Sequence, residues 1–164
     1  DQQVPLSWAF RGPATLRQRL GGLDAAALAA MTEDDVVVAC VTKPAVHRYP
    51  AVMGRRLYAL AGAIVDHYDG EAERVWTDAT DGPDLLDRLV ALPGFGDEKA
   101  KITIAVLGKR LGAAPTGWQA ACSPFDDDQP RSVADAADPE SAAAVKEWKA
   151  AMRAAGRSKS DPVT

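Results

Sequence analysis

Leu85-Leu86-Asp87-Arg88-Leu89-Val90-Ala91-Leu92-Pro93-Gly94-Phe95-Gly96-Asp97-Glu98-Lys99-Ala100-Lys101-Ile102-Thr103-Ile104 is the stretch on which the reading of this chain turns. Leu85, Leu86, Leu89 and Val90 recur at helical spacing, and the helix they mark must stop at Pro93-Gly94. A second helical period starts at Asp97 and carries Ala100, Ile104, Leu107 and Leu111 as its buried stripe. The two helices are joined by a corner with two glycines, which permit positive φ and a close backbone approach. The second helix therefore presents free N–H groups and the positive end of its dipole to whatever lies over the corner. That arrangement favours an anion, and Lys99 and Lys101 add cationic charge. A structural corner between two packed helices would use the same residue types.

Outward from this hairpin, helical signals dominate. Pro13 to Leu20 ends at Gly21-Gly22, and Asp24 to Met31 is alanine-rich with an acidic start. Thr32-Glu33-Asp34-Asp35 has the form of a capping box. The following Val36-Val37-Val38-Ala39-Cys40-Val41 would suit a strand by its β-branching. A single short strand would have no partner, so it is read as a buried helix. Tyr49 to Tyr68 is the clearest helix, with Leu57, Leu60, Ala61, Ile64 and Val65 on one face and Gly70 after its end. Glu71 to Trp76 reads as a short helix or turn. Gly117 to Arg131 reads as a loop with one short turn. Asp138-Pro139 opens a last helix with Val145, Trp148 and Met152 on one side. The expectation is an all-α fold, one helical domain over residues 1 to 156 with a disordered tail from 157 to 164.

The 164 residues carry 47% apolar and 26% charged residues and a net charge of −4. This balance is ordinary for a globular protein and argues against a surface coated with basic residues. It leaves a local positive face open, because Arg55-Arg56, Lys99, Lys101 and Lys109-Arg110 are clustered. No apolar run is long enough to span a bilayer. Cys40 and Cys122 stand far apart with no paired spacing, which excludes zinc or an iron–sulfur cluster built on cysteines. A reducing, cytoplasmic setting and a monomer are expected. The abrupt start at Asp1 suggests an upstream segment missing from the chain.

Leu92-Pro93-Gly94-Phe95-Gly96-Asp97-Glu98-Lys99-Ala100 resembles the LPGxGxxxA signature of the helix-hairpin-helix (HhH-GPD) base-excision DNA glycosylases, and the chain as a whole resembles small actinobacterial members of that superfamily. Gly54-Arg55-Arg56 to Gly70-Glu71 resembles the family's long helix and its closing turn. Asp1-Gln2-Gln3-Val4 resembles a glutamine-bearing segment near the end of an early helix. The resemblance implies a two-lobed helical fold and a protein that flips a damaged or mispaired base out of double-stranded DNA and excises it. It implies that Pro93, Gly94, Phe95, Gly96, Glu98, Lys99 and Lys101 form the DNA-binding turn. Gln3 would fill the gap left by the flipped base. No cofactor is required, although K+ or Na+ would sit against the carbonyls of Val90, Leu92 and Phe95.

The resemblance fits the catalytic residues less closely. The family's lysine nucleophile falls on Glu98, and Lys99 is displaced by one residue, about 100° around a helix. Lys99 is thus a catalytic candidate in name and a phosphate contact by position, which argues for a monofunctional enzyme without lyase chemistry. The family's aspartate, which stabilises the oxocarbenium-like sugar, is matched by Asp135 in Ser132-Val133-Ala134-Asp135, after an insertion. Asp126, Asp127 and Asp128 are alternatives. An aspartate at Asp135 would serve equally as a helix cap, and a non-catalytic helix-hairpin-helix DNA-binding protein is the second reading. Trp8, His47-Arg48, Tyr49 and Trp118 are the candidates for holding a flipped base. Trp76 and Trp148 have core-like spacing.

Overall fold

The computed structural model describes residues 6 to 161, with side chains from Arg11 onward. The described residues form α-helices and tight turns and contain no strand, as the all-α reading expects. They divide into two compact units, one up to Ala72 and one from Glu73.

The N-terminal unit holds α1 (Leu6–Leu20), α2 (Ala25–Ala29), α3 (Glu33–Val41) and α4 (Pro50–Tyr68). Helix α1 runs through Pro13 instead of starting there. The Asp24 carboxylate accepts from the Ala27 amide at 3.0 Å and so caps α2. At the start of α3 the capping box is complete. The Asp35 amide donates to Thr32 Oγ1 at 3.1 Å, and the Thr32 amide donates to Asp35 Oδ2 at 3.2 Å. This box explains why a β-branched run folds as a helix: its first-turn donors are satisfied locally. Val36, Ala39 and Cys40 are buried, but Val38 is 59% exposed, so α3 is buried on one face only. Helix α3 lies so close to α4 that a Cβ at Gly54 would come within 2.7 Å of the Val37 Cα. Leu16, Ala39 and Cys40 pack with Leu20, Leu23, Val46 and Leu57, while Leu28, Val36 and Ala61 form a second group beside them.

The C-terminal unit holds α5 (Arg74–Thr77), α6 (Gly82–Ala91), α7 (Asp97–Val106), α8 (Trp118–Cys122) and α9 (Pro139–Ala154). Helix α6 begins at an Asp81 cap whose carboxylate accepts from the Asp84 amide at 2.9 Å. Its first residue, Gly82, donates to the Thr116 carbonyl at 2.9 Å. Any Cβ at Gly82 would strike the Gly117 carbonyl. The second hairpin helix does not stay α-helical to Leu111 as the periodicity predicts. It widens into a π turn over Leu107–Leu111, and the amides of Gly112 and Ala113 both return to the Leu107 carbonyl. The Trp118 ring lies against the backbone of Gly108, where a Cβ would come within 2.5 Å of the ring. The extra residue in the turn breaks the stripe, and Leu111 is 65% exposed instead of buried. Leu85, Leu89, Ile104, Leu107, Phe125 and Val145 are among the buried residues that form the core here.

The described residues of the terminal segment, 157 to 161, are tied back to the C-terminal unit. The Arg131 guanidinium donates to the carbonyls of Lys159 and Asp161, both at 2.8 Å, and a turn closes between Asp161 N and Ser158 O at 3.2 Å. The composition of this segment is that of a solvated end; a distant buried arginine fixes its path.

Two glycines of α4 give opposite expectations. Gly54→Ala should destabilise the N-terminal unit by about 1–3 kcal/mol, because backbone must move to admit the methyl group. Gly62→Ala meets nothing within 4 Å and should stabilise α4 by about 0.5–1 kcal/mol through helix propensity. Urea unfolding of the two variants checks both signs.

Candidate nucleic-acid interface

Helices α6 and α7 meet at the corner Leu92–Gly96. Leu92 is buried and anchors it, Pro93 and Phe95 are half-buried, and Gly94 and Gly96 are exposed. The Leu92 amide donates to Leu89 O and the Phe95 amide to Leu92 O, each at 3.1 Å. Gly94 has φ +81°, the left-handed region that favours glycine. Gly96 differs from expectation: its φ is −117° and ψ 169°, ordinary extended backbone at the N-cap of α7. A Cβ there would meet nothing in the protein within 4 Å. The fold itself therefore requires a glycine at 94 and does not require one at 96.

The first internal bond of α7 is Ala100 N to Gly96 O at 3.0 Å. No acceptor is recorded among the described residues for the amides of Gly96, Asp97, Glu98 and Lys99, and no side chain caps the helix. These are the orphan donors of a helix start, here at an exposed corner. The Lys99 ammonium folds back onto the Gly94 carbonyl, so a positive charge stands within the turn. Lys101 pairs with Asp97 at 3.0 Å. Val90 is exposed, and the Leu92 carbonyl already accepts from Phe95.

Glu98 is exposed, yet both of its carboxylate oxygens are taken by the C-terminal segment. Lys159 Nζ lies 2.9 Å from Oε1, and Ser160 Oγ donates to Oε2 at 3.0 Å. Lys149 of α9 belongs to the same neighbourhood. Burial, reinforced by the charges of Lys159 and Arg153, pushes its ammonium below the usual lysine range, against the pull of Glu98 and Asp135.

Asp135 closes a short 3-10 turn, Val133–Asp135, and is capped and paired at once. Its Oδ1 accepts from Lys109 Nζ at 2.6 Å, and its Oδ2 accepts from the Ser132 amide at 2.9 Å. Its side chain is 12% exposed. Lys109 sits in the π turn and also donates to the Asp127 carbonyl. Asp127 is bound by Arg131 through both oxygens, at 2.7 to 2.9 Å, and Arg131 is only 1% exposed. Asp126 is half-buried and Asp128 exposed. Burial, reinforced by the charge of Asp126, pushes the Cys122 thiol up to about 11.

Of the aromatic candidates, Trp118 packs on Gly108 in the C-terminal unit. Tyr49 lies in the N-terminal unit, exposed, with the Arg48 guanidinium 4.9 Å from its ring and its amide donating to His47 Nδ1 at 2.9 Å. Trp148 has Arg131 at 5.2 Å over its ring, which fits its reading as a packing residue. Gln3 and the side chain of Trp8 lie outside the described residues. Sequence reasoning missed Arg131, Lys159 and Ser160, whose contacts with the site join residues distant in the chain. Among the described residues no cluster of three His, Cys, Asp or Glu could hold a metal ion, and no helix is long and apolar enough to cross a membrane.

Comparison with protein-family models, with curated proteins and with solved structures gives no match.

Burial alone would raise the Asp127 carboxyl. Hydrogen bonds from Arg131 and the Gln129 amide, with the charges of Arg131 and Lys109, outweigh it and hold the group below its ordinary value of 3.8. Its stabilisation is thus complete above that value and is lost as pH falls through the lower folded value. Asp127→Asn should flatten the stability–pH curve below about pH 4. Asp127→Ala should cost about 3 kcal/mol at neutral pH by stranding Arg131. Thermal unfolding across a pH series measures both, and an unchanged acid limb in Asp127→Asn would rule out the linkage.

Proposed function

We propose that this chain is a DNA-binding protein of base excision repair that grips a backbone phosphate with the Leu92–Gly96 hairpin. The observation that carries this reading is the exposed start of α7, whose amides are unpaired among the described residues and whose N-cap glycine the fold does not need. A glycine kept where neither φ nor internal crowding demands it suits a position that something outside the protein must approach closely. Phosphate contacts of this kind hold a duplex in place without reading its sequence. Pro93, Gly94, Phe95, Gly96, Lys99 and Lys101, with the main-chain amide of Glu98, form the contact. The resemblance assigns a monovalent cation to the carbonyls of Val90, Leu92 and Phe95, where the Lys99 ammonium on the Gly94 carbonyl is a competing positive charge in the same turn.

The chemistry that fits the resemblance is monofunctional N-glycosylase action on a lesion-bearing duplex. The base is turned out of the stack, its N-glycosidic bond breaks with the electron pair leaving on the base, water adds to the sugar cation, and the proton that water gives up neutralises the departed base. Asp135 is the carboxylate assigned to that cation. Gln3 belongs to the same reading as the residue that replaces the flipped base. Lys99 serves as a phosphate contact, because its ammonium is turned toward the hairpin carbonyl.

A second reading, a non-catalytic DNA-binding protein, is favoured by one observation. Both oxygens of Asp135 are engaged, and Lys109 already supplies the positive charge at Oδ1. Asp135→Asn separates the two: an enzyme loses base release and keeps its DNA affinity, whereas a pure binder has no base release to lose on any lesion of a broad panel.

The binding claim is tested by Gly96→Ala. The variant should keep its folded stability within about 1 kcal/mol and lose at least about tenfold in affinity for duplex DNA, with parental affinity falling steeply as salt rises. Equal affinity of variant and parent in an anisotropy titration would defeat the hairpin as the contact.

A further inference from the structure

Glu98 is an electrostatic obstacle on the surface just described. It is the second residue of α7, next to the amides that would receive a phosphate, and an unneutralised carboxylate at that position repels one. The chain answers this charge from 62 residues away. Lys159 pairs with one oxygen of Glu98 at 2.9 Å, and Ser160 donates to the other at 3.0 Å. The two residues are delivered by a short strap, Arg157–Asp161, whose own sequence would not order it. Arg131, itself fixed by Asp127, holds the strap by the carbonyls of Lys159 and Asp161. Lys149 on α9 adds positive charge in the neighbourhood of the same carboxylate.

We propose that the C-terminal strap is a working part of the DNA-contacting surface, in which Lys159, with Ser160, neutralises and tethers Glu98 so that a DNA phosphate can approach the α7 amides. Lys159 acts through Glu98 and is a positioning residue. The partner is the phosphodiester backbone of duplex DNA, and the inference rests on the hairpin reading above. Its particular consequence is that removing the lysine harms binding only while the glutamate is there to be unmasked.

The experiment uses the full chain and a short duplex oligonucleotide, with fluorescence anisotropy at several salt concentrations and thermal unfolding as a check on folding. Lys159→Ala should weaken binding about five- to tenfold at low salt, the effect shrinking as salt screens the freed carboxylate. Glu98→Gln, which removes the charge, keeps the main-chain amide and still accepts from Ser160, should bind more tightly than the parent. The double variant Lys159→Ala/Glu98→Gln should regain the parental affinity. Parental affinity in Lys159→Ala overturns the proposal. So does a double variant as weak as Lys159→Ala, which would mean that the lysine touches DNA itself. If Lys159→Ala fails to fold, Lys159→Met, which retains the apolar stem, replaces it under the same expectations. A parent protein without salt-dependent affinity overturns the hairpin reading and this inference together, and that result is distinct from a normal parent with a silent Lys159.

Discussion

A guanidinium that is 1% exposed cannot remain without partners, and the C-terminal unit is arranged around satisfying one. Arg131 takes both oxygens of Asp127 and two carbonyls of the terminal segment. The backbone carbonyl of Asp127 in turn receives Lys109, whose ammonium also meets Asp135. The terminal segment reaches Glu98 at the start of α7. One polar chain of contacts thus runs from the 3-10 turn at Asp135, through the π turn and the buried arginine, to the hairpin. Its members are drawn from separate parts of the sequence, so its geometry belongs to the folded unit and to none of its segments.

This arrangement sets the character of the two ends differently. At Asp135 the carboxylate is enclosed by a cap and a cation, a geometry that holds a short turn rigidly and leaves little of the oxygen surface open. At the hairpin the reverse holds: helix donors face outward, glycine keeps the approach open, and cationic groups come to the edge from three elements.

Trp118 illustrates how a local deviation serves the same frame. Its ring occupies the space that a side chain at 108 would need, and the backbone around it widens by a residue. The wider turn redirects Lys109 and Arg110, which reach the Asp127 carbonyl, Asp135 and the Ala136 carbonyl. Without that turn a one-residue slip would swing these side chains by about 100°, away from the carbonyls and the carboxylate they reach.

Read alone, the amino-acid sequence determined the helices and the corner between α6 and α7. Apolar spacing, a capping box at Thr32, aspartates at the helix starts and Pro93-Gly94 are local signals, and local backbone energetics obey them. It located the exposed glycines and the lysines of the turn for the same reason. It misplaced Leu111, because the π turn over Leu107–Leu111, on which the Trp118 ring packs, is not signalled by apolar spacing. It gave no sign of the contacts made by residues 157 to 161, because their partners, Arg131 and Glu98, lie elsewhere in the chain. It left Asp135 open between cap and catalyst, and the tertiary structure decided what surrounds that carboxylate. Contacts between residues far apart in the chain depend on packing and on the burial of charge, and neither is written in any local stretch of residues.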